Sequence, residues 1–246
     1  MAINYPIILF LALISGMTTL IGAGLAVCCR GNQKAIVTGI GFSTGIMLLI
    51  SLLELIPEAL KNTSLLNVIV ALFAGIICLG LLNFIIPHSH IIKGKEKSKS
   101  QLYKVAFLVV IGLILHDFPE GFAMANSYIL TPNLGILVAI AIALHNIPEE
   151  FAIAAPIIIL KDKNFLYKAA FISGLAEPAG AAIGLIGVAI VPTLTPIFLA
   201  FAAGAMIFVS IHELIPFAYK YKMPWYFVGG VIFSMTIFLL LNYFFS

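Results

Sequence analysis

Residues 104–130 read KVAFLVVIGLILHDFPEGFAMANSYIL, an almost continuous apolar stretch with the polar motif HDFPEG near its centre. A helix needs about 20 apolar residues to cross the hydrocarbon core of a bilayer, so this stretch is long enough to span a membrane. Ionisable side chains at that depth are costly and usually belong to a substrate or ion pathway. The stretch therefore indicates a membrane-spanning helix that carries a functional site.

The whole chain has the same apolar character. Of its 246 residues, 62% are hydrophobic and 9% are charged, against about 45–50% and about 25% in a typical soluble domain. The mean hydropathy is +1.16. This composition excludes an ordinary soluble enzyme, a disordered chain and a nucleic-acid-binding protein. The net charge of +3 is too small to indicate a polyanionic partner, and three cysteines do not make a disulfide framework.

The apolar stretches predict an all-α integral membrane protein with eight transmembrane helices in a single domain, residues 1–246. The predicted spans cover about 6–29, 35–60, 65–87, 104–130, 133–160, 167–191, 195–219 and 224–245. Helices are favoured over a β-barrel because the apolar runs are continuous and do not alternate. The polar, lysine-rich segment 88–103 is predicted to be a cytoplasmic loop, in which His88 and His90 either collect metal transiently or are simply solvated.

Basic residues orient the predicted bundle. Twelve of the thirteen lysines and arginines lie in loops on one side, and Lys61 alone lies on the other. The positive-inside rule places the basic loops in the cytoplasm and both termini outside.

Acidic residues are concentrated where the hydropathy is highest. Eight of the ten lie within the apolar spans or near their ends: Glu54, Glu58, Asp117, Glu120, Glu149, Glu150, Glu177 and Glu213. One acid near the bilayer centre costs about 2.5–3.5 kcal/mol. Five or six would cost about 15 kcal/mol, which is comparable to the net stability of a whole domain. These carboxylates must therefore be protonated, hydrated or bound to cations.

Two related motifs sharpen this expectation: HDFPEG at 116–121 and HNIPEE at 145–150. In each, a histidine and a glutamate are four residues apart and so share one helix face. A proline before each glutamate is predicted to kink the helix and to free the carbonyl of Leu115 or Leu144. One such motif alone is also typical of a polar helix contact, but two copies favour a metal site. Imidazole nitrogen with hard oxygen suits zinc, iron(II), manganese, cobalt or cadmium better than copper(I).

A second repeat surrounds the first. SLLELIP at 51–57 in span 2 is similar to SIHELIP at 210–216 in span 7. Because these two spans are predicted to run in opposite directions, the similarity indicates inverted halves, three spans plus three around a central pair, as in many secondary transporters. Span 6 adds SGLAEP at 173–178, where an acid again precedes a proline.

The four motifs HDFPEG, HNIPEE, SGLAEP and HELIP resemble those of the ZIP family of zinc–iron permeases, and within it the bacterial ZupT-like branch. Eight spans, outside termini and a polar loop between spans 3 and 4 are also similar to that family. The resemblance extends over essentially the whole chain.

The resemblance implies a two-metal transport site between spans 4 and 5. One metal would be held by His116, Glu120 and Glu149, and the two glutamates would bridge to a second metal. The second position would be completed by Asp117, Asn146 and Glu177. This chain departs from the family pattern at Asp117, where the family has asparagine, and at Glu150, where it has glycine. Both changes add negative charge that attracts divalent cations.

Further positions follow from the same resemblance. Met47 matches a place where the family sometimes supplies a thioether ligand, and His145 lies in the span 5 motif. The pair His212 and Glu213 resembles a relay site on the cytosolic half of the pathway. Near the outer end of span 2, Glu54 and Glu58 are candidates for attracting cations at the entrance, although a solvated helix end is an equal interpretation for Glu58.

The sequence thus predicts a non-enzymatic importer of zinc, with iron, manganese, cobalt and cadmium as related cargo and no prosthetic group. Alternating access is the predicted mechanism, and a channel-like mode stays open. We hypothesise that protons compete with metal, so that uptake falls at acidic pH. The expected location is the cell membrane, specifically the bacterial inner membrane. The expected partners are divalent ions and lipid but no nucleic acid, and the sequence neither supports nor denies the homodimer often found in the family.

Two alternative functions belong to other classes of membrane protein. An intramembrane zinc hydrolase would use His116, His145 and an acid as ligands, with an open water position. Against it, HELIP at 212–216 lacks the second histidine of the HExxH motif. A metal-sensing receptor would need an output domain that the sequence does not contain.

Overall fold

The computed structural model describes residues 4–28, 32–85, 99–154 and 162–245. Within these ranges, eight helical segments are long and apolar enough to cross a membrane, as predicted. We number them as spans 1 to 8: Tyr5–Cys28, Gln33–Asn62, Leu65–Phe84, Ala106–Leu130, Pro132–Phe151, Lys163–Ile190, Pro192–Tyr219 and Pro224–Phe245. The α-helices are Tyr5–Met17, Thr19–Cys28, Gln33–Ile50, Ile56–Asn62, Leu65–Ile85, Lys99–Leu130, Pro132–Ile153, Lys163–Gly174, Ala176–Ile190, Thr195–Val209, Ile215–Tyr219 and Pro224–Phe245.

The predicted polar loop, with His88 and His90, lies mostly outside the described residues, as does the end of predicted span 5 after residue 154. The helix of span 4 begins at Lys99, five residues before the predicted start of the span. Its first turns are held by Tyr103, whose hydroxyl donates to a carboxylate oxygen of Asp162 at 2.8 Å and whose ring packs edge-on against Phe165. Contact with the start of span 6 therefore extends this helix beyond the apolar stretch.

The repeated motif of spans 2 and 7 forms the same local structure twice. In each, a π-helical turn interrupts the α-helix, at Ser51–Leu55 and at Ser210–Leu214. The next helix then carries a proline in its first turn, Pro57 or Pro216. A proline cannot donate to the carbonyl of the preceding turn and clashes with it, and a wider π turn relieves that clash. Such turns are rare and are frequent at functional sites.

Spans 1 and 6 share a further short repeat, the tripeptide ISG at 14–16 and 172–174. Each span is two helices, interrupted at Thr18 and at Leu175. In span 1 the Thr18 hydroxyl donates to the carbonyl oxygen of Ser15 at 2.6 Å, which competes with the helical hydrogen bonds. In span 6 the break comes three residues before Pro178, which offers no N–H to the carbonyl of Gly174.

Close glycine contacts show that the two halves are related by an internal repeat. A Cβ on Gly16 would collide with the carbonyl of Gly174, and the reverse is also true. A Cβ on Gly45 would lie 3.2 Å from the Cα of Val231, and one on Gly204 would lie 3.0 Å from the Cα of Leu72. Spans 2 and 3 therefore correspond to spans 7 and 8 with one offset of 159 residues.

The two central spans, 4 and 5, are also equivalent to each other, with an offset of 29 residues. A Cβ on Gly180 would meet the carbonyl oxygen of Phe118 in span 4, and one on Gly22 would meet that of Ile147 in span 5. Span 4 thus packs on span 6 as span 5 packs on span 1. The predicted inverted arrangement of three, two and three spans is present in the fold. Spans 2, 4, 5 and 7 contribute most of the buried interior, and spans 3 and 8 lie at the periphery.

Candidate metal centre

The two central helices carry the predicted ligands. Helices Lys99–Leu130 and Pro132–Ile153 continue through Pro119 and Pro148. Within the described part of the chain, the helix interruptions lie in spans 1, 2, 6 and 7. Because both central helices are continuous, each histidine and the glutamate four residues later remain on one face. The two faces meet between spans 4 and 5.

Histidine and glutamate side chains cross between these spans. Nε2 of His116 lies 2.7 Å from Oε1 of Glu149 and 3.3 Å from Oε1 of Glu120. Nε2 of His145 lies 3.1 Å from the same oxygen of Glu120. Nδ1 of His145 lies 2.9 Å from the carbonyl oxygen of Ala141, the contact that fixes its ring. All four side chains are at most 5% exposed.

Three of these residues offer ligand atoms within 4.8 Å of one another: His116, Glu120 and Glu149. Oε1 of Glu149 contacts His116, whereas Oε2 of Glu149 and Oε2 of Glu120 make no hydrogen bond within the described residues. Buried carboxylates are stable only when they are paired, protonated or bound to a cation. One imidazole nitrogen and two carboxylates are a ligand set that suits a divalent ion such as zinc.

The predicted second position lies beside the breaks in spans 1 and 6. The Ser15 hydroxyl and the Asn146 amide both donate to the carboxylate of Glu177. In the same way, Ser173 donates to the carboxylate of Asp117. Glu177 is fully buried in the first turn of helix Ala176–Ile190, where the helix dipole favours a negative charge.

Ser15 and Ser173 are site residues that the motif analysis missed. Each is the serine of an ISG tripeptide, so the repeat between spans 1 and 6 was the signal that would have found them. They occupy equivalent positions in the two halves, and each orients one acid of the second position. Their hydroxyls therefore extend the predicted site by two positioning groups.

Glu150 and Met47 are buried against neighbouring spans. A Cβ on Gly22 would lie 2.8 Å from the Cβ of Glu150, so Glu150 packs towards span 1. Both of its carboxylate oxygens lack a hydrogen-bond partner within the described residues. Met47 is fully buried, and its sulfur accepts a hydrogen bond from the Ser210 hydroxyl at 3.7 Å, which joins the π turn of span 7 to span 2.

A pocket connects the ligand cluster with the predicted relay site. It lies between spans 3, 4 and 7 and has a volume of about 10 Å³, room for about one water molecule. Its lining comprises Leu79, Asn83, Gly112, Leu115, His116, Val209 and Glu213. His212 stacks on Phe208 and places Nδ1 3.2 Å from the amide nitrogen of Asn83, so it reaches the pocket through that residue.

The acids of the predicted entrance differ from each other. Glu54 accepts a hydrogen bond from the Asn242 amide and so connects the π turn of span 2 with span 8. Glu58 pairs with Lys61 at 2.8 Å and with the Asn62 amide at 3.2 Å. These partners fit the solvated helix end that was the alternative interpretation of Glu58.

Comparisons with known proteins agree with this architecture. Residues 87–241 match the sequence model of the ZIP zinc transporter family. A zinc transporter ZupT from Corynebacterium aurimucosum is 36% identical over 248 residues, which cover 92% of both chains. One from Lysinibacillus sphaericus is 35% identical over 252 residues, 92% of this chain and 93% of the relative. One from Chlorobium luteolum is 34% identical over 255 residues, 95% of this chain and 96% of the relative.

These relatives are named as zinc transporters, so the hydrolase alternative finds no support. The matching segment contains the ligand cluster between spans 4 and 5, the broken span 6 and the π turn of span 7. The relatives also cover nearly all of spans 1 to 3. On this combined basis, the chain belongs to the ZIP family of zinc transporters.

Proposed function

We propose that this protein imports zinc and related divalent cations into the cytoplasm through a two-metal site between spans 4 and 5. The observation that carries the proposal is the group of His116, Glu120 and Glu149. Their ligand atoms lie within 4.8 Å of one another, and all three side chains are buried. Two of their carboxylate oxygens, Oε2 of Glu120 and Oε2 of Glu149, have no hydrogen-bond partner within the described ranges.

The first ion replaces part of its hydration shell with the imidazole of His116 and the carboxylates of Glu120 and Glu149. The second ion shares these carboxylates and takes ligands from Asp117, Asn146 and Glu177. Ser15 and Ser173 hold the second-position acids in place, as their hydrogen bonds indicate. Nε2 of His145 lies 3.1 Å from Oε1 of Glu120. His145 either orients this bridging carboxylate or itself binds the metal.

Release follows the pocket between spans 3, 4 and 7. His116 lines it together with Asn83 and Glu213, which supply hard oxygen ligands on the predicted cytoplasmic side. The inverted repeat supports alternating access, because two similar halves can exchange their conformations around a fixed site. Met47, fully buried beside the π turn of span 7, is the proposed thioether ligand.

The cargo beyond zinc is proposed from ligand chemistry. Imidazole and carboxylate groups also suit iron(II), manganese, cobalt and cadmium. The bacterial inner membrane is the proposed location, in line with the bacterial relatives. Association of two copies of the chain into a homodimer stays a prediction.

Uptake of radioactive zinc into reconstituted liposomes tests the function. The wild-type protein is expected to give saturable uptake, and Glu120→Ala to abolish it, because Glu120 contacts both histidines and serves both metals. Glu58→Gln is the matched control, since Glu58 lies on a surface helix end and pairs with Lys61. Equal leak through wild type and Glu120→Ala would overturn the proposal.

A further inference from the structure

The turn between spans 7 and 8 is equivalent, by the offset of 159 residues, to the turn between spans 2 and 3. In the turn of spans 2 and 3, on the predicted outer side, Lys61 pairs with Glu58 at 2.8 Å. On the predicted cytoplasmic side, Lys220 occupies the position of Lys61, and Phe217 occupies that of Glu58. The Lys220 ammonium lies 5.7 Å from the centre of the Phe217 ring. A cation–π contact therefore stands where the other half of the repeat has an ion pair.

Two further lysines add positive charge at this end of the bundle. Lys222 stands where the outer turn has Thr63. Lys34, near the start of span 2, has its ammonium 5.4 Å from the centre of the Tyr226 ring in the first turn of span 8. The sequence contains no aspartate or glutamate after Glu213. We refer to Lys34, Lys220 and Lys222 as the basic cluster.

The backbone holds Lys222 in an unusual conformation. The preceding helix, Ile215–Tyr219, ends three residues before it, and the N–H of Lys222 donates to the carbonyl oxygen of Tyr219 at 3.1 Å. Its φ of 55° lies in the left-handed region, which glycine adopts far more readily than lysine. The helix of span 8 begins two residues later, at Pro224. Strained conformations of this kind cluster at functional positions, so a lysine here indicates a use for its ammonium group.

Exposed aromatic side chains flank this turn. Trp225, the single tryptophan of the chain, is 83% exposed, and Tyr219 is 84% exposed. Their equivalents at the outer turn are Leu66 and Leu60. Tryptophan and tyrosine are enriched at membrane–water interfaces, where their rings lie at the level of the lipid headgroups. Because the turn lies between these two aromatic residues in the chain, its lysines are at headgroup level.

We propose that the basic cluster and Trp225 bind the headgroup of an anionic phospholipid in the cytoplasmic leaflet. Lysine ammonium groups donate to phosphodiester oxygens, and the negative surface of that leaflet attracts lysines next to a transmembrane helix. Val228 and Ile232, 42% and 62% exposed, share the helix face of Trp225 and so offer an apolar surface to the acyl chains. This surface beside the charges favours a lipid over a soluble phosphate or an acidic peptide. The site uses none of the ligands of the proposed transport site.

The fluorescence of Trp225 reports lipid binding directly, because the chain has no other tryptophan. The full-length protein in nonionic detergent is titrated with dioctanoyl phosphatidylglycerol, with dioctanoyl phosphatidylcholine and with glycerol phosphate. We expect a saturable change in fluorescence with the anionic lipid and none with the other two. A saturable change with glycerol phosphate would show a site for soluble anions, and equal responses to both lipids would show that headgroup charge is not recognised. Either result overturns the proposal.

Substitutions separate the basic cluster from general surface charge. Lys222→Gly suits the left-handed backbone and should keep the wild-type unfolding temperature, but it should weaken binding of the anionic lipid by about fivefold, as should Lys220→Gln. Lys61→Gln, at the position equivalent to Lys220, is the matched control and should bind the lipid with wild-type affinity. Wild-type affinity in both variants of the basic cluster, or an equal loss in Lys61→Gln, would overturn the assignment.

Discussion

Nε2 of His145 lies 3.1 Å from Oε1 of Glu120, and this contact repeats, across the internal symmetry, the 2.7 Å contact of His116 with Glu149. Each histidine thus meets the glutamate of the other central span. Spans 4 and 5 are joined by two crossing pairs at the site where the cations are proposed to bind. A bound ion would replace these contacts and keep the two spans together as one unit. The ligand cluster therefore also holds together the element around which the halves would move.

Removal of the second-position acid is expected to change the number of bound ions. Glu177→Gln keeps the size of the side chain and retains an oxygen for Ser15 but removes the negative charge. We expect the bound zinc to fall from two ions per chain to one, since His116, Glu120 and Glu149 are unchanged. Metal analysis of the purified protein after gel filtration measures this ratio. Glu58→Gln should keep the wild-type ratio, and retention of both ions in Glu177→Gln would contradict the assignment of Glu177.

Acid pH is expected to slow uptake. Imidazole and carboxylate bind metal in their deprotonated forms, so each bound ion displaces protons. A fall in pH favours the protonated ligands and weakens zinc binding, and a rise in pH strengthens it. We expect the KM for zinc to rise as the pH falls from about 7 to about 5, the range in which histidines commonly titrate.

The measurement uses liposomes with the same pH inside and outside, so that a proton gradient does not contribute. Protein-free liposomes correct for zinc leak at each pH. A KM that does not change over this range would contradict competition between metal and protons.

Much of this site was predictable from short motifs. The spacing of His116 and Glu120, and of His145 and Glu149, predicts one shared helix face, and both helices are continuous there. The similarity of residues 51–57 and 210–216 predicts the inverted repeat. These features depend on local sequence and on the period of the helix, which a motif states directly.

The interruptions of the helices were harder to predict. Kinks at the prolines of spans 4 and 5 stay a prediction, whereas the breaks at Thr18 and Leu175 were not expected from the sequence. The break at Thr18 comes with a hydroxyl group that bonds to a nearby carbonyl, and the break at Leu175 comes just before Pro178. Both lie close to the contact between Gly16 and Gly174. Contacts between distant spans are tertiary, and no local pattern specifies them. The partner of Glu54, Asn242 in span 8, was unpredictable for the same reason, whereas Glu58 pairs with Lys61 and Asn62 on its own helix.

A larger residue at Gly112 is expected to block release without removing the metal site. Gly112 lines the pocket with His116 and Glu213, and space is open where its side chain would be. Gly112→Leu should therefore bind zinc with nearly wild-type stoichiometry but give at least about tenfold slower uptake, an effect of about 1.4 kcal/mol on the barrier. Parallel binding and uptake measurements on one preparation separate the two effects.

Gly229→Leu is the control, because Gly229 in span 8 also has nothing within 4 Å of its Cβ position but is not part of the pocket lining. It should transport zinc at the wild-type rate. Wild-type uptake in Gly112→Leu would show that the ion leaves by another route.

The contact of spans 1 and 6 is expected to contribute measurably to the stability of the bundle. A Cβ on Gly16 would collide with the backbone carbonyl of Gly174, and rigid backbone cannot move aside as a flexible side chain can. Overpacking of a close interior typically costs about 1–3 kcal/mol, so Gly16→Ala should lower the unfolding temperature in detergent by several degrees. Gly229→Ala, in an open part of a helix, should keep or slightly raise it, because alanine favours helix over glycine by about 1 kcal/mol. Equal unfolding temperatures for both variants would show that spans 1 and 6 do not pack closely at this point.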